Sequence, residues 1–155
     1  RYVTTVANNG TCYDLTLIDK IEDVNGKVVL QNNAKVRNKV KLASSTWKSI
    51  HKGMYLVTNG AGSSTAAMFS GLKKKVAGKT GTAQLNSYHA NHAEFISYAP
   101  YNKPEISVTC VIPNGYASSN AAQTARDVYK YYFSNGKKKV SGKVKMPESA
   151  TNHMD

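Results

Sequence analysis

Lys79-Thr80-Gly81-Thr82, set within Val76-Ala-Gly-Lys-Thr-Gly-Thr-Ala-Gln84, places a cation, a hydroxyl, a residue without a side chain and a second hydroxyl in one short run. These groups suit one task, holding a carboxylate beside a reacting carbonyl. Lysine supplies a compact charge, and a threonine hydroxyl adds a donor. A backbone N–H at Thr82 can serve as an oxyanion donor, a contribution worth about 3–4 kcal/mol when one such donor is lost. The chemistry named is acyl transfer, which also needs a nucleophile, and no serine of this chain declares itself as one.

The run reads as a strand. Side chains alternate on a strand, so Lys79 and Gly81 face one way and Thr80 and Thr82 the other. A strongly twisted edge strand still brings Lys79, Thr80 and the Thr82 backbone around one groove. Gly81, lacking Cβ, admits another backbone or a ligand closely. By itself the tetrapeptide also fits a surface strand with no function.

The elements around it are legible from spacing. Tyr2, Val3, Val6 and Ala7 read as a helix ending at Asn9-Gly10, with glycine as the stop. Leu15 to Glu22 alternates as a strand. Asn25-Gly26 turns it back into a second strand, Lys27 to Leu30. Gln31 to Leu42 is polar and lysine-rich and reads as a surface connection. Ser44 or Ser45 then caps a helix whose Trp47, Ile50, Met54 and Val57 share one face, ending at Asn59-Gly60. Ser63 or Ser64 caps a short helix, Thr65 to Phe69. Three extended runs follow, Val76–Gln84, Ala93–Ala99 and Glu105–Ile112, the last two joined by a turn between Pro100 and Pro104. So short a connection requires antiparallel neighbours. Ser118 or Ser119 caps a final helix with Ala121, Ala122, Ala125, Val128, Tyr129 and Tyr132 on one side. The predicted class is mixed α/β (α+β), an antiparallel sheet carrying Lys79 near its edge with flanking helices. Residues 1–134 form the domain and residues 135–155 a basic, disordered tail.

The chain has 155 residues, 41% of them hydrophobic, and a net charge of +12. That suits one domain or part of one. An opening on a helix end at Arg1 points to a piece of a longer chain. Much of the charge sits in Lys73–Lys75 and Lys137–Lys139. Such runs read as solvated loop and tail charge, or as attraction to an anionic envelope polymer or lipid surface. No nucleic-acid fold signature is present, so nucleic acid is not an expected partner. Cys110, within Ile106-Ser-Val-Thr-Cys-Val-Ile112, reads as an inert buried thiol, with a disulfide to Cys12 left open.

Four segments in order carry a resemblance to a family. They are Tyr2-Val-Thr-Thr-Val-Ala-Asn-Asn-Gly-Thr11, Trp47-Lys-Ser-Ile-His-Lys-Gly-Met54, Ala77-Gly-Lys-Thr-Gly-Thr-Ala-Gln84 and His92-Ala-Glu-Phe-Ile-Ser-Tyr-Ala-Pro100. Residues 1–134 resemble the C-terminal half of a penicillin-binding protein transpeptidase domain, most like the class B enzymes. That family's motif set pairs Ser-x-x-Lys and Ser-x-Asn with Lys-Thr-Gly. The resemblance implies a β-lactamase/transpeptidase-like fold, incomplete here, and a serine D,D-transpeptidase acting on D-Ala-D-Ala stem peptides of peptidoglycan and acylated by β-lactams. It implies that Lys79 and Thr80 bind the terminal carboxylate, that Gly81 permits close approach, and that Thr82 gives its backbone N–H and hydroxyl. It implies no cofactor. The expected setting is the outer face of the bacterial plasma membrane, with an anchor helix outside this chain. The missing N-terminal half of the domain and divisome or elongasome proteins are the expected partners.

Ser-x-x-Lys occurs four times, at Ser45-Thr-Trp-Lys48, Ser49-Ile-His-Lys52, Ser70-Gly-Leu-Lys73 and Ser134-Asn-Gly-Lys137. In the family the nucleophile comes well before Lys79, on a buried helix ahead of the Trp47 helix. Ser118-Ser-Asn120 lies after Lys79, where capping accounts for it. None is the expected nucleophile, and the isolated chain is expected to be inactive. Glu94 stands where the family often has an aromatic residue, which bears on the rim of the groove. His89 and His92, with Glu94 nearby, offer donors for zinc if a third ligand such as Cys12 or Cys110 approaches; the plainer reading is a polar loop entering a strand. A β-lactamase or β-lactam sensor with the same motifs, and a non-catalytic binding or scaffold module, are the alternative readings.

Overall fold

The computed structural model describes residues 1–85 and 87–134. The predicted tail, the Lys137–Lys139 run and the end of the Ser134 motif lie outside them. Eleven elements follow in order: α1 (Tyr2–Ala7), β1 (Thr11–Tyr13), β2 (Lys20–Glu22), β3 (Val28–Gln31), β4 (Val36–Lys39), α2 (Ser44–Asn59), α3 (Ala66–Phe69), β5 (Ala77–Ala83), β6 (His92–Ala99), β7 (Ile106–Ile112) and α4 (Ser118–Phe133).

The three-stranded sheet β5-β6-β7 is antiparallel throughout, with β6 central. It is the middle layer of three. On β7 every second residue is half-buried, Ile106, Val108, Cys110 and Ile112, and they share a face with Phe95 and Ala93 of β6. That face receives α4 through Ala121, Ala122, Ala125 and Tyr129, all fully buried. Alanine at the contact lets the helix axis approach closely, and Phe69 stacks on Phe95 with centroids 5.6 Å apart. The Tyr129 hydroxyl donates to Ser97 Oγ at 2.9 Å, and Ser97 Oγ donates to the Val108 carbonyl at 3.2 Å. A buried polar chain thus joins α4, β6 and β7, and burial pushes the Tyr129 phenol well above its ordinary range.

The opposite face receives α1 and α2, where Val3, Val6, Met54, Ala77 and Tyr98 form a second core. His51 Nε2 lies 2.8 Å from the Val6 carbonyl, tying α2 to the end of α1. The helix α1 stops where expected. Asn9 and Gly10 both have positive φ, and a methyl group at Gly10 would lie 2.2 Å from the Val40 carbonyl oxygen. Glycine is the residue that fits there.

Several expectations need correction. Leu15 to Asp19 is not strand; only Lys20–Glu22 pairs with Val28–Gln31. The turn itself forms as expected, with Asp23 Oδ1 accepting from the N–H groups of Asn25 and Lys27, each at 2.9 Å. Gln31–Leu42 is more than a connection, because Val36–Lys39 pairs antiparallel with Thr11–Tyr13. That pairing is non-local and its lysines hid it. The serines are not the N-caps: Ala43, Thr65 and Ala117 occupy those positions and make no side-chain cap hydrogen bond, although Ser63 Oγ accepts from the Thr65 N–H at 3.4 Å. Val128 and Tyr132 face solvent rather than the core. Cys110 is half-buried, Cys12 is the buried thiol, and both are free.

Residues 14–46 are exposed almost throughout. Leu15, Leu17, Ile18, Ile21, Val28 and Leu30 all face solvent on this arm.

A candidate carboxylate-binding edge on β5

The entry to β5 is fixed from α2. Thr58 Oγ1 donates to the Val76 carbonyl at 2.6 Å, and Asn59 Nδ2 donates to the same oxygen at 2.8 Å. Thr58 is buried to 1% exposure, so its bond forms away from water, while the Asn59 bond is partly buried. Sequence reasoning read Asn59-Gly60 only as a helix stop. The clamp bridges residues 17 and 18 apart, and no local pattern announces it.

Beyond the clamp the strand is positioned by β6. Lys79 pairs with Ile96, Thr80 with Phe95, Gly81 with Glu94, Thr82 with Ala93 and Ala83 with His92. Lys79 and Gly81 therefore share the α2 face, while Thr80 and Thr82 share the α4 face, as alternation requires. Among the described residues β5 pairs on one side only, so its outer edge is open. Every second residue of such a strand turns its N–H and C=O outward, ready to pair with an added strand. Lys79 and Thr82 are exposed; Thr80 and Gly81 are half-buried.

The Lys79 ammonium donates to the Thr80 carbonyl at 2.6 Å. The cation is thereby folded back along its own strand and kept beside the open edge. Gly78 and Gly81 are constrained by what crosses them. A methyl group at Gly78 would lie 2.3 Å from Phe95 Cζ. One at Gly81 would lie 3.1 Å from Glu94 Oε2 and 3.2 Å from Glu94 Cβ. The strand can thus present a cation, two hydroxyls and free backbone donors along one edge, the set that an extended peptide ending in a carboxylate requires.

The other sequence candidates are not drawn into such an arrangement. A serine nucleophile needs its base within hydrogen-bond reach. Ser45 and Ser49 are exposed on α2, and among the described residues neither makes a side-chain hydrogen bond to a lysine. Lys52 instead sits over the Tyr55 ring, 5.1 Å from its centroid. Ser70 Oγ donates to the Ala67 carbonyl at 2.9 Å. At the Ser118 motif, Asn120 Nδ2 donates to the Gly115 carbonyl at 2.9 Å, so it ties down the loop before α4. His92 sits opposite Ala83 at the far end of β5, and His89 lies in the loop before it. Among the described residues no three His, Cys, Asp or Glu side chains converge as a metal site. Neither Cys12, Cys110 nor Glu94 completes a set with the two histidines. Lys73, Lys74 and Lys75 are exposed just before the clamp. No helix among the described residues is long and apolar enough to cross a membrane.

Known proteins share this fold. Residues 1–130 match the family described as penicillin binding protein transpeptidase domain. Peptidoglycan D,D-transpeptidase MrdA of Haemophilus influenzae is 39% identical over 103 residues, covering 57% of this chain and 16% of that protein. Penicillin-binding protein 2B of Streptococcus pneumoniae is 31% identical over 144 residues, covering 85% of this chain and 21% of that protein. The solved structure of penicillin-binding protein 2B from Streptococcus pneumoniae strain R6 superposes with a TM-score of 0.77 at 27% identity, over 89% of this chain and 24% of that one. PBP2 of Helicobacter pylori, solved in complex with MreC, superposes with a TM-score of 0.54 at 26% identity, over 66% of this chain and 21% of that one. The chain spans about a fifth of the length of the two curated relatives, 16% and 21%.

Proposed function

The chain belongs to the penicillin binding protein transpeptidase domain family, and from that membership we propose that it supplies the substrate-binding strand of a serine peptidoglycan D,D-transpeptidase. The observation that carries the proposal is Lys79-Thr80-Gly81-Thr82 lying on the open edge of the sheet.

A stem peptide ending in D-Ala-D-Ala adds to that edge as a strand. Lys79 and Thr80 hold its terminal carboxylate, and the missing side chain at Gly81 lets the peptide backbone approach. A serine outside these 155 residues attacks the penultimate carbonyl. Negative charge develops on that oxygen, and the Thr82 N–H donates to it. The carbon–nitrogen bond then breaks, D-Ala leaves as the protonated amine, and the acyl group stays on the serine oxygen. An amine from a second stem takes the acyl group and regenerates the hydroxyl. A β-lactam follows the first half of this course and leaves the acyl-enzyme.

The exposed apolar arm, residues 14–46, supports a further part of the proposal. In the complete protein it packs against the other half of the domain, since isolated hairpins with both faces wet are marginal. The protein works on the outer face of the plasma membrane, where peptidoglycan is cross-linked. The Helicobacter pylori relative, solved with MreC, makes an elongation-complex protein of that kind the candidate partner.

The test is covalent labelling with a fluorescent penicillin. The complete transpeptidase carrying this segment labels, and the isolated 155-residue chain does not. Labelling of the isolated chain overturns the assignment of the nucleophile. Failure of the complete protein to label overturns the transpeptidase assignment.

A further inference from the structure

Glu94 is the residue opposite Gly81 on β6. Because Gly81 has no side chain, the Glu94 carboxylate lies across β5, with Oε2 3.1 Å from where a Cβ at 81 would stand. It therefore reaches toward the open edge of the sheet. The residue is half-buried. Among the described residues no hydrogen bond or ion pair engages its carboxylate. Its neighbours on that face do not compensate it. Val111 is its partner on β7, and Ile96 is the next residue on the same face of β6. His92 lies two residues back along β6, beside Ala83. Lys79 is the diagonal neighbour, but its ammonium is committed to the Thr80 carbonyl at 2.6 Å. Its oxygens still meet water, since among the described residues the Tyr98 hydroxyl is the only buried side-chain polar atom without a partner. A cation arriving at the adjoining edge is attracted to this charge, and an anion is repelled.

We propose that Glu94 sets the charge preference of the acyl donor bound along β5, favouring a donor with a cationic group over Gly81 and disfavouring an anionic one. The inference rests on the transpeptidase assignment. A strand added to a sheet edge turns alternate side chains to each face, and those on the Lys79–Gly81 face meet Glu94. Glu94 is a specificity-determining residue here and takes no part in bond making.

The experiment compares three penicillins on the complete transpeptidase chain: one with a neutral benzyl side chain, one with an α-carboxylate and one with an α-ammonium group. Second-order acylation rates are measured for the wild type, Glu94→Gln and Glu94→Asp. Ratios between penicillins cancel any loss common to all three. In Glu94→Gln the α-carboxylate compound gains relative to the benzyl compound by about threefold to tenfold, the range for a unit charge some ~6–8 Å away at high effective dielectric. The α-ammonium compound loses by a similar factor, and Glu94→Asp, with a shorter reach, falls between. Unchanged ratios in Glu94→Gln, with all three compounds reacting, overturn the inference alone. Absence of acylation by the benzyl compound in the wild type overturns the transpeptidase assignment, and the inference with it.

Discussion

Replacing Gly78 by alanine isolates one contact that holds the site strand against the core. The new methyl group would lie 2.3 Å from Phe95 Cζ, 2.9 Å from Cε2 and 3.2 Å from the Ile96 carbonyl oxygen. Ordinary carbon contacts begin near 3.4 Å, so the ring edge must retreat by about 1 Å or more in a core packed at crystal-like density. Phe95 has nowhere to go. It is fully buried, with Phe69 stacked at 5.6 Å and the alanines of α4 in the same cluster. Gly78 is not among the positive-φ glycines, so alanine carries no backbone penalty there. It even gains about 0.4–1 kcal/mol by restricting the unfolded chain. Overpacking costs about 1–3 kcal/mol and prevails. Gly78→Ala therefore unfolds at lower urea, by about 1–2 kcal/mol net. Phe95→Leu alone loses stability through its cavity, but the double variant loses less than the sum by about 1 kcal/mol, because each change relieves the other. A Gly78→Ala protein as stable as wild type, or strictly additive losses, refutes the argued contact.

Two further outcomes follow from the buried tyrosines. Tyr129→Phe removes the hydrogen bond to Ser97 while Ser97 keeps its bond to Val108; stability falls by about 1 kcal/mol in urea unfolding. Tyr98 is the opposite case, since its hydroxyl is buried and, among the described residues, has no partner. Tyr98→Phe is therefore neutral or stabilising by up to about 1 kcal/mol at neutral pH. Burial, with Tyr101 adding to it, raises the Tyr98 phenol from its ordinary 10 to about 12. The folded protein holds this proton more tightly than the unfolded chain does. The associated stability is complete below pH 10 and is lost as pH climbs from 10 through about 12. Tyr129 adds a loss of the same sign. Unfolding measured between pH 9 and 12 shows a shallower fall for Tyr98→Phe than for wild type; parallel curves contradict the assignment.

What the sequence disclosed was mostly local. The helix around Trp47, the Asn25-Gly26 turn, the three sheet strands and the antiparallel β6–β7 connection each carry a periodic or turn signal within a few residues. The alternation of Lys79 and Gly81 against Thr80 and Thr82 is a property of any strand, and the register agrees with it. Non-local features were not legible. Pairing of Val36–Lys39 with Thr11–Tyr13 joins segments about 25 residues apart, and a lysine-rich run gives no alternation strong enough to show it. The Thr58 and Asn59 clamp and the reach of Glu94 over Gly81 depend on three-dimensional packing. The serine caps failed for a different reason: a serine next to a helix start satisfies the pattern whether or not its oxygen turns to the helix. The Lys79–Thr82 run was found because its residue types suit one chemistry. Its partner serine was absent from the signals because nothing in these residues supplies one.

The central claim is that the β5 edge holds the donor carboxylate. It is tested most directly by the rate of penicillin acylation of the complete transpeptidase with Lys79→Ala. Loss of a hydrogen bond to a charged group costs about 1.5–3 kcal/mol, so the second-order acylation rate falls by about tenfold to a hundredfold. The folded stability changes little, because Lys79 is exposed and, among the described residues, bonds only to the Thr80 carbonyl. An acylation rate equal to wild type in a folded Lys79→Ala protein contradicts the account.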